Sequence, residues 1–277
     1  MTFATALNIS SRGMIETACY PGPVMLILIL LHGVMPLASW GWTRLFFESG
    51  SPFAVGTVLV MMVPAAVLSI IWSSVVHGEP SLALSTVILD SLLSPLVLPA
   101  SVWLILGQTV EFDSRRMMIG LAWMLVLPTL LGVLFHDLSR GSLGRNLLPL
   151  NGPLSKLCIV LIIAINVAAA RPIITAHESS FLKLLVVLAG QSLFGFFLGL
   201  LAARVCRFQP ERVRTMTYCV GLRNISAGIV VALRYFSPAT ALPVVLAILV
   251  QQPIAALFHR FFFRRERKIE DAPLIFQ

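Results

Sequence analysis

Charged residues are scarce in this sequence. Lys, Arg, Asp and Glu together make up 12% of its 277 residues, whereas 58% of the residues are hydrophobic. A soluble domain keeps about a quarter of its residues charged. Too few polar side chains are therefore present to cover a globular surface, and the mean hydropathy of +0.93 agrees with this. The composition excludes an ordinary soluble domain and predicts an integral membrane protein, whose first partner is the lipid bilayer.

The motifs of catalytic and metal-binding chemistry are also missing. The four cysteines, Cys19, Cys158, Cys206 and Cys219, show no CxxC spacing and no accompanying histidine ligands. No HExxH, no GxSxG and no cluster of carboxylates occurs in the sequence. We therefore expect neither an enzyme nor a metal site, and we expect the cysteines to be small buried hydrophobic residues.

Acidic residues are outnumbered by basic ones, which gives a net charge of +8. The basic residues lie in the short gaps between apolar runs rather than on one face, so no nucleic-acid partner is expected. If the C-terminus is cytoplasmic, 13 Lys and Arg fall on the inside and 6 on the outside. This bias predicts a multi-pass protein of the cell inner membrane with both termini in the cytoplasm. The first 20 residues lack an apolar h-region, so no cleavable signal peptide is expected.

Apolar runs of about 20 residues, the length that crosses a bilayer as a helix, recur along the chain. Eight of them are predicted to be membrane helices, at residues 22–43, 53–76, 80–106, 118–137, 154–173, 180–205, 213–234 and 239–262. They form a transmembrane domain, 22–263, between an N-terminal cytoplasmic segment, 1–21, and a basic and polar cytoplasmic tail, 264–277. The predicted fold class is all-α, that of a polytopic membrane protein.

Two of these spans contain small and polar residues where a straight membrane helix has apolar ones. The first reads VPAAVLSIIWSS over 63–74, and the second reads GLRNISAG over 221–228. Pro64 removes a backbone donor, and Gly221 stands beside a polar pair. Both spans are therefore predicted to break, near Pro64–Ser69 and near Gly221–Asn224. Irregular backbone at membrane depth is tolerated only where it lines protein or water.

Each interrupted span is followed by a segment that has prolines near both ends. EPSLALSTVILDSLLSP, 79–95, and SPATALPVVLAILVQQP, 237–253, each have two prolines 15 residues apart. Corresponding broken helices in two halves of a chain are typical of inverted-repeat transporters, whose binding site lies between them. The pattern predicts an inverted-repeat transporter fold with two broken crossing helices.

The interrupted spans also carry a resemblance to a known family. Residues 64–70 read Pro-Ala-Ala-Val-Leu-Ser-Ile, followed by Gly78 and Ser94-Pro95, and residues 219–224 read Cys-Val-Gly-Leu-Arg-Asn. In this spacing, and in LPTLLGVLFHD and QSLFGFFLGLLAARV, the chain resembles the bile acid:sodium symporter family over residues 25–262. The resemblance implies a secondary transporter. It places residue 22 at the third of the family's ten helices, so that the first two are lacking here.

The resemblance further implies a change at the sodium ligands. The family's ligand positions on the two crossing helices and the following span correspond here to Cys219, Arg223, Ile70, Ala83 and Val87. Sodium requires hard oxygen ligands, so we expect no sodium site of the family type and no cofactor. Ser69 and Asn224 keep side-chain oxygens. A fixed guanidinium at Arg223 would supply the positive charge that sodium supplies in the family.

Arg223 lies in the middle of its predicted span, where a cation costs about +2.5–3.5 kcal/mol on insertion scales. Such a residue faces a cavity or a partner. Asp90 is predicted at the same depth, since both residues lie about ten residues into spans that start on the same side. Two interpretations remain open. The pair is a structural clamp, or Arg223 lines the substrate site while Asp90 holds it or exchanges a proton.

Further polar residues complete the predicted cavity. Gln251 and Gln252 stand where the family has a His-Asn pair, and Gln191 corresponds to a family Asn. Amides suit hydrogen bonds to a solute, or they tie helices together. His32 lies near a family Gln but one residue out of step, about 100° around a helix. We therefore do not place it in the site.

Three functions are compatible with these features. The one we favour is a secondary-active transporter of small organic anions. An arsenite-exporter-like permease is the second, since IIWSSVVHGEP, 70–80, resembles a stretch of that family, although the upstream Cys expected near Ala65 is absent. A non-transporting membrane sensor or scaffold is the third. A homo-oligomer is compatible with each.

Overall fold

The computed structural model describes residues 21–107, 112–144 and 178–263, together with single positions near the N-terminus and between 147 and 164. Over these residues the chain forms helices α1 (Pro21–Thr43), α2 (Pro52–Met62), α3 (Leu68–Val75), α4 (Pro80–Leu106), α5 (Ser114–Leu138), α6 (Glu178–Val205), α7 (Pro210–Gly221), α8 (Ile225–Tyr235) and α9 (Pro238–Phe263). The predicted span 154–173, the tail 264–277 and most of the N-terminal segment lie outside the described residues.

Five of these helices, α1, α4, α5, α6 and α9, are long and apolar enough to cross a bilayer. The all-helical, polytopic membrane architecture predicted from composition is thereby confirmed for the described residues. The helix starts follow simple backbone chemistry. Proline opens α2, α4, α7 and α9. The backbone N–H of the first helical residue has no acceptor within the helix, so proline, which lacks this N–H, loses no hydrogen bond there.

The other helices form two interrupted spans. In the first span, α2 ends at Met62 and α3 begins at Leu68. In the second span, α7 ends at Gly221 and α8 begins at Ile225. The interruptions cover the segments that Pro64 and Gly221 mark in the sequence. They meet in space as an isolated antiparallel bridge between Ala65 and Arg223. The two broken spans therefore cross at their breaks.

Helix α6 packs closely against α7 along a line of glycines. A Cβ at Gly199 would lie 2.9 Å from Met216 O, and a Cβ at Gly195 would lie 3.3 Å from Val220 O. Small residues of this kind let membrane helices approach. The contacts set an antiparallel register in which residue 199 faces 216 and residue 195 faces 220. One turn earlier on the same face of α6, Gln191 is level with the break that follows α7.

An aromatic cluster closes one side of the crossing. Tyr218 stacks on Trp72 of α3, with ring centroids 5.4 Å apart, and meets Phe196 of α6 edge-on at 5.5 Å. Tyr218 OH also donates to Ala255 O at 3.0 Å. These contacts join α3, α6, α7 and α9, and they fix the position of the second break relative to the rest of the bundle.

Candidate functional site at the crossing of the broken helices

The two breaks supply each other with backbone hydrogen bonds. Ala66 N–H donates to Leu222 O at 3.2 Å, and Asn224 N–H donates to Pro64 O at 2.8 Å. An unpaired peptide group costs several kcal/mol inside a membrane. Each break therefore depends on the other for its peptide groups, and the crossing is a single structural unit.

Side chains satisfy further peptide groups at the crossing. Ala65 N–H donates to Asp90 Oδ2 at 2.7 Å, and Arg223 N–H donates to Gln251 Oε1 at 3.2 Å. Asn224 Oδ1 accepts from the backbone N–H three residues ahead at 3.2 Å, which caps the N-terminus of α8. Three residues predicted for the site thus hold the irregular backbone in place.

Asp90 is fully buried in α4, and both of its carboxylate oxygens have partners. Oδ2 accepts from Ala65 N–H, and Oδ1 lies 2.5 Å from His32 Nε2. A buried carboxylate requires such partners. The direct Arg223–Asp90 clamp considered from the sequence is not formed, since no hydrogen bond or ion pair joins the two side chains and the carboxylate bonds to His32 and the first break instead. Arg223 nevertheless lies near Asp90, because Ala65 donates to the carboxylate and also pairs with Arg223 in the antiparallel bridge.

His32 reaches Asp90 from a π-helical turn of α1. Residues Leu30–Val34 form this turn, and Met35 N–H bonds to Leu30 O. A π turn closes over one more residue than an α turn and so shifts the phase of the helix. The expectation that placed His32 outside the site assumed a regular α-helix and needs correction. Nothing in the hydropathy pattern of LILLHGVM marks the extra residue.

Arg223 is buried at the crossing, with 2% of its surface exposed. Its Nη1 donates to Val63 O at 3.5 Å, a long hydrogen bond. Its Nε and Nη2 have no hydrogen-bond partner among the described residues. Leaving the donors of a buried charged group unsatisfied is costly. Two of the guanidinium nitrogens therefore have N–H donors that no described residue uses.

Two buried amides at this level also have unused polar atoms. Among the residues that the structure describes, both Nε2 and Oε1 of Gln191 lack a hydrogen-bond partner, and so does Nε2 of Gln251. The packing of α6 on α7 brings Gln191 level with the second break. Together with Arg223, the amides offer donors and one acceptor to a polar solute.

Ser69 and Gln252 bind neighbouring residues instead. Ser69 Oγ donates to Ala66 O at 2.7 Å and accepts the Cys219 S–H at 3.8 Å. Gln252 Oε1 accepts from Trp72 Nε1 at 3.1 Å. The Cys219–Ser69 contact ties the two broken spans together, and the Trp72–Gln252 contact ties α3 to α9. Both side chains brace the crossing, and Trp72 is a bracing residue that sequence reasoning did not single out.

The positions that correspond to family sodium ligands carry apolar or basic side chains. Ala83 and Cys219 are fully buried, and Val87 is 3% exposed. Ile70 packs against the hydrophobic core, and Arg223 contributes a guanidinium. None of these five described side chains offers the oxygen that sodium prefers.

The fold and the site define a polytopic membrane protein in which two broken helices cross around buried polar residues. Comparison with known proteins identifies its family. The model of the Sodium Bile acid symporter family matches residues 1–177. The chain belongs to this family, which is a family of transporters.

Individual relatives agree with the family match. The chain is 35% identical to Uncharacterized protein YbaS of Bacillus subtilis (strain 168), over 97% of this chain and 88% of the relative. It is 24% identical to Uncharacterized sodium-dependent transporter YocS of the same organism, over 87% of this chain and 74% of the relative. It is 26% identical to Probable sodium/metabolite cotransporter BASS1, chloroplastic, of Oryza sativa subsp. japonica, over 78% of this chain and 52% of the relative. The family match and these relatives favour a transporter of this family over the arsenite-exporter and scaffold alternatives.

Proposed function

We propose that this protein is a secondary-active transporter of small organic anions that binds the anionic group of its solute through Arg223. One observation carries the proposal. Arg223 is buried at the crossing of two broken helices, and two of its guanidinium nitrogens have no hydrogen-bond partner in the part of the chain that the structure describes. A buried cation at membrane depth normally has a functional partner. An anionic group would supply the missing acceptors and balance the charge.

The surroundings of Arg223 support a small polar solute. Gln191 and Gln251 offer unused amide groups at the same level, so a carboxylate or hydroxyl near the guanidinium would find further hydrogen bonds. Asp90 is fully engaged by His32 and the first break. Its charge therefore partly balances Arg223 without blocking the guanidinium nitrogens.

An inverted-repeat arrangement in the inner membrane, with cytoplasmic termini, belongs to the same proposal. Pro80 opens α4 directly after the first broken span, and Pro238 opens α9 directly after the second. Interior prolines follow 15 residues later, at Pro95 and Pro253. This correspondence supports two related halves with the binding site between them.

Sodium is not the driving ion in this proposal. The names of two relatives include sodium, but here Arg223 stands at one ligand position and its charge repels a nearby cation. The other corresponding positions carry Ile70, Ala83, Val87 and Cys219. The fixed guanidinium takes the place of the mobile cation.

Binding of candidate anions to the purified protein tests the proposal. Monocarboxylates, dicarboxylates, sulfonates and phosphate esters are added in turn, and the apparent melting temperature shows which class stabilises the wild type. The affinity for that class is then measured for Arg223→Gln. Arg214→Gln is the matched control, because Arg214 is also buried and lies on the same broken span, where it donates to His77 O at 3.2 Å.

We expect Arg223→Gln to weaken binding at least about tenfold, the loss typical of one charge-assisted hydrogen bond, while Arg214→Gln binds like the wild type. The proposal would be contradicted if none of the anion classes raised the melting temperature of the wild type, or if the wild type and Arg223→Gln bound the anion with equal affinity.

A further inference from the structure

A pocket of about 410 Å³ lies where the start of α5 meets the end of α8. Arg115, Arg116 and Arg234 line it, together with Asp113. None of the three arginines forms an ion pair with a residue that the structure describes. Three positive charges less one negative charge give the lining a net charge of +2. The pocket is therefore suited to an anion.

The pocket is held together mainly by backbone and hydroxyl contacts, and the Arg234 guanidinium lies over the Tyr235 ring, 5.8 Å from its centroid. Asp113 Oδ1 accepts Arg116 N–H at 2.9 Å and caps the N-terminus of α5. Tyr235 OH donates to Arg116 O at 3.1 Å. Gly120 permits this approach, since a Cβ at that position would overlap the Tyr235 hydroxyl. The arginine side chains are thus positioned by a fixed backbone and remain available to a ligand.

Beneath the arginines, the wall of the pocket is apolar. Ile119 is 48% exposed and Trp123 is 69% exposed. Trp123 lies seven residues beyond Arg116, about 10 Å further along the helix. Exposed apolar side chains continue down α5 at Leu127 and Leu130. In a membrane-crossing helix, such a stripe contacts acyl chains.

We propose that this pocket binds an anionic phospholipid, with its phosphate on the three arginines and an acyl chain along Ile119 and Trp123. Guanidinium and phosphate groups form short, bidentate, charge-assisted hydrogen bonds. Tryptophan is enriched at the level of the headgroups, which agrees with the place of Trp123 beneath a basic rim. A soluble anion would make no use of this apolar wall.

The lipid pocket is separate from the crossing. Arg223 lies in the break before α8, and Arg234 lies nine residues beyond Ile225, the first residue of that helix, which corresponds to about 14 Å of helix. The proposal therefore does not rest on transport, and it is tested without a transported solute.

Native mass spectrometry of the full-length protein provides the test. The delipidated protein is mixed with equal amounts of dioleoyl phosphatidylglycerol and dioleoyl phosphatidylcholine, which differ in headgroup charge but not in chains. We expect the anionic lipid to be retained at least about tenfold more strongly. Combined replacement of the three arginines, R115Q/R116Q/R234Q, should remove this preference, whereas R44Q/R140Q/R207Q, a matched loss of three exposed arginines elsewhere, should keep it.

Equal retention of the two lipids, or an equal loss in the control variant, would overturn the proposal. Displacement of the lipid by glycerol 3-phosphate at similar concentration would also overturn it, because the pocket would then be a site for soluble anions. Gel filtration and circular dichroism check the fold of the triple variant. If that variant is misfolded, R116Q and R234Q are measured singly, and each must weaken retention of the anionic lipid for the proposal to stand.

Discussion

At the scale of single residues, Asp90 is the connecting group of the crossing. It bonds to His32 of α1 and to the peptide of Ala65 in the first break. The sequence predicted Arg223 and Asp90 at the same depth in the membrane, because each lies about ten residues into its span. Depth does not define the rotation of a helix or the presence of a π turn, so the sequence could not show that His32 and Ala65 occupy the carboxylate.

A pair of double-mutant cycles tests these contacts. We expect Asp90→Asn and His32→Gln to couple by about 1–3 kcal/mol in the free energy of unfolding, since they share a buried contact. Asp90→Asn and Arg223→Gln should couple by less, because no direct hydrogen bond joins that pair. Denaturant unfolding in detergent measures both cycles. A larger coupling for Asp90 with Arg223 than with His32 would restore the clamp interpretation.

Gly221 permits the second break to pack on α6. A Cβ at this position would lie 2.6 Å from the Phe196 ring. We expect Gly221→Ala to lower the free energy of unfolding by about 1–3 kcal/mol through overpacking. Gly41→Ala is the control, because a Cβ there has no neighbour within 4 Å. Equal melting temperatures of the two variants would show that this contact does not limit the packing.

At the scale of helices and breaks, the sequence was most informative where backbone chemistry decides the structure. Proline and glycine located both interruptions, and hydropathy located α1, α4, α6 and α9 to within a few residues. The sequence did not predict the π turn at Leu30–Val34 or the backbone pairing of the two breaks. Both depend on contacts between segments that are distant in the sequence.

The start of α8 offers a test of how the second break is held. Asn224 caps this helix through its side chain and bonds to Pro64 O through its backbone. Asn224→Ala removes the cap and should cost about 0.5–2 kcal/mol, whereas Asn224→Ser keeps an acceptor and should cost less. Thermal unfolding in detergent compares the two variants. Equal losses would mean that the backbone bond alone defines the helix start.

At the scale of the whole molecule, the crossing combines an irregular backbone, a buried carboxylate and a buried guanidinium in the middle of a helical membrane protein. Family membership identifies the chain as one of a family of transporters, but it does not identify the driving ion. That question depends on the side chains at the crossing. There the protein has the buried guanidinium of Arg223, a cation that is part of the chain itself.

The most direct test is uptake into proteoliposomes of an anion that stabilises the wild-type protein, at a clamped membrane potential. We expect the wild type to take up this anion at the same rate with an inward sodium gradient and in sodium-free choline buffer, because Arg223 supplies the positive charge. Arg223→Gln should lower uptake at least about tenfold, as expected from the loss of one hydrogen bond to a charged group, while Arg214→Gln keeps it. Uptake that rises steeply with the sodium gradient, or that survives Arg223→Gln unchanged, would contradict the claim that a fixed guanidinium replaces sodium.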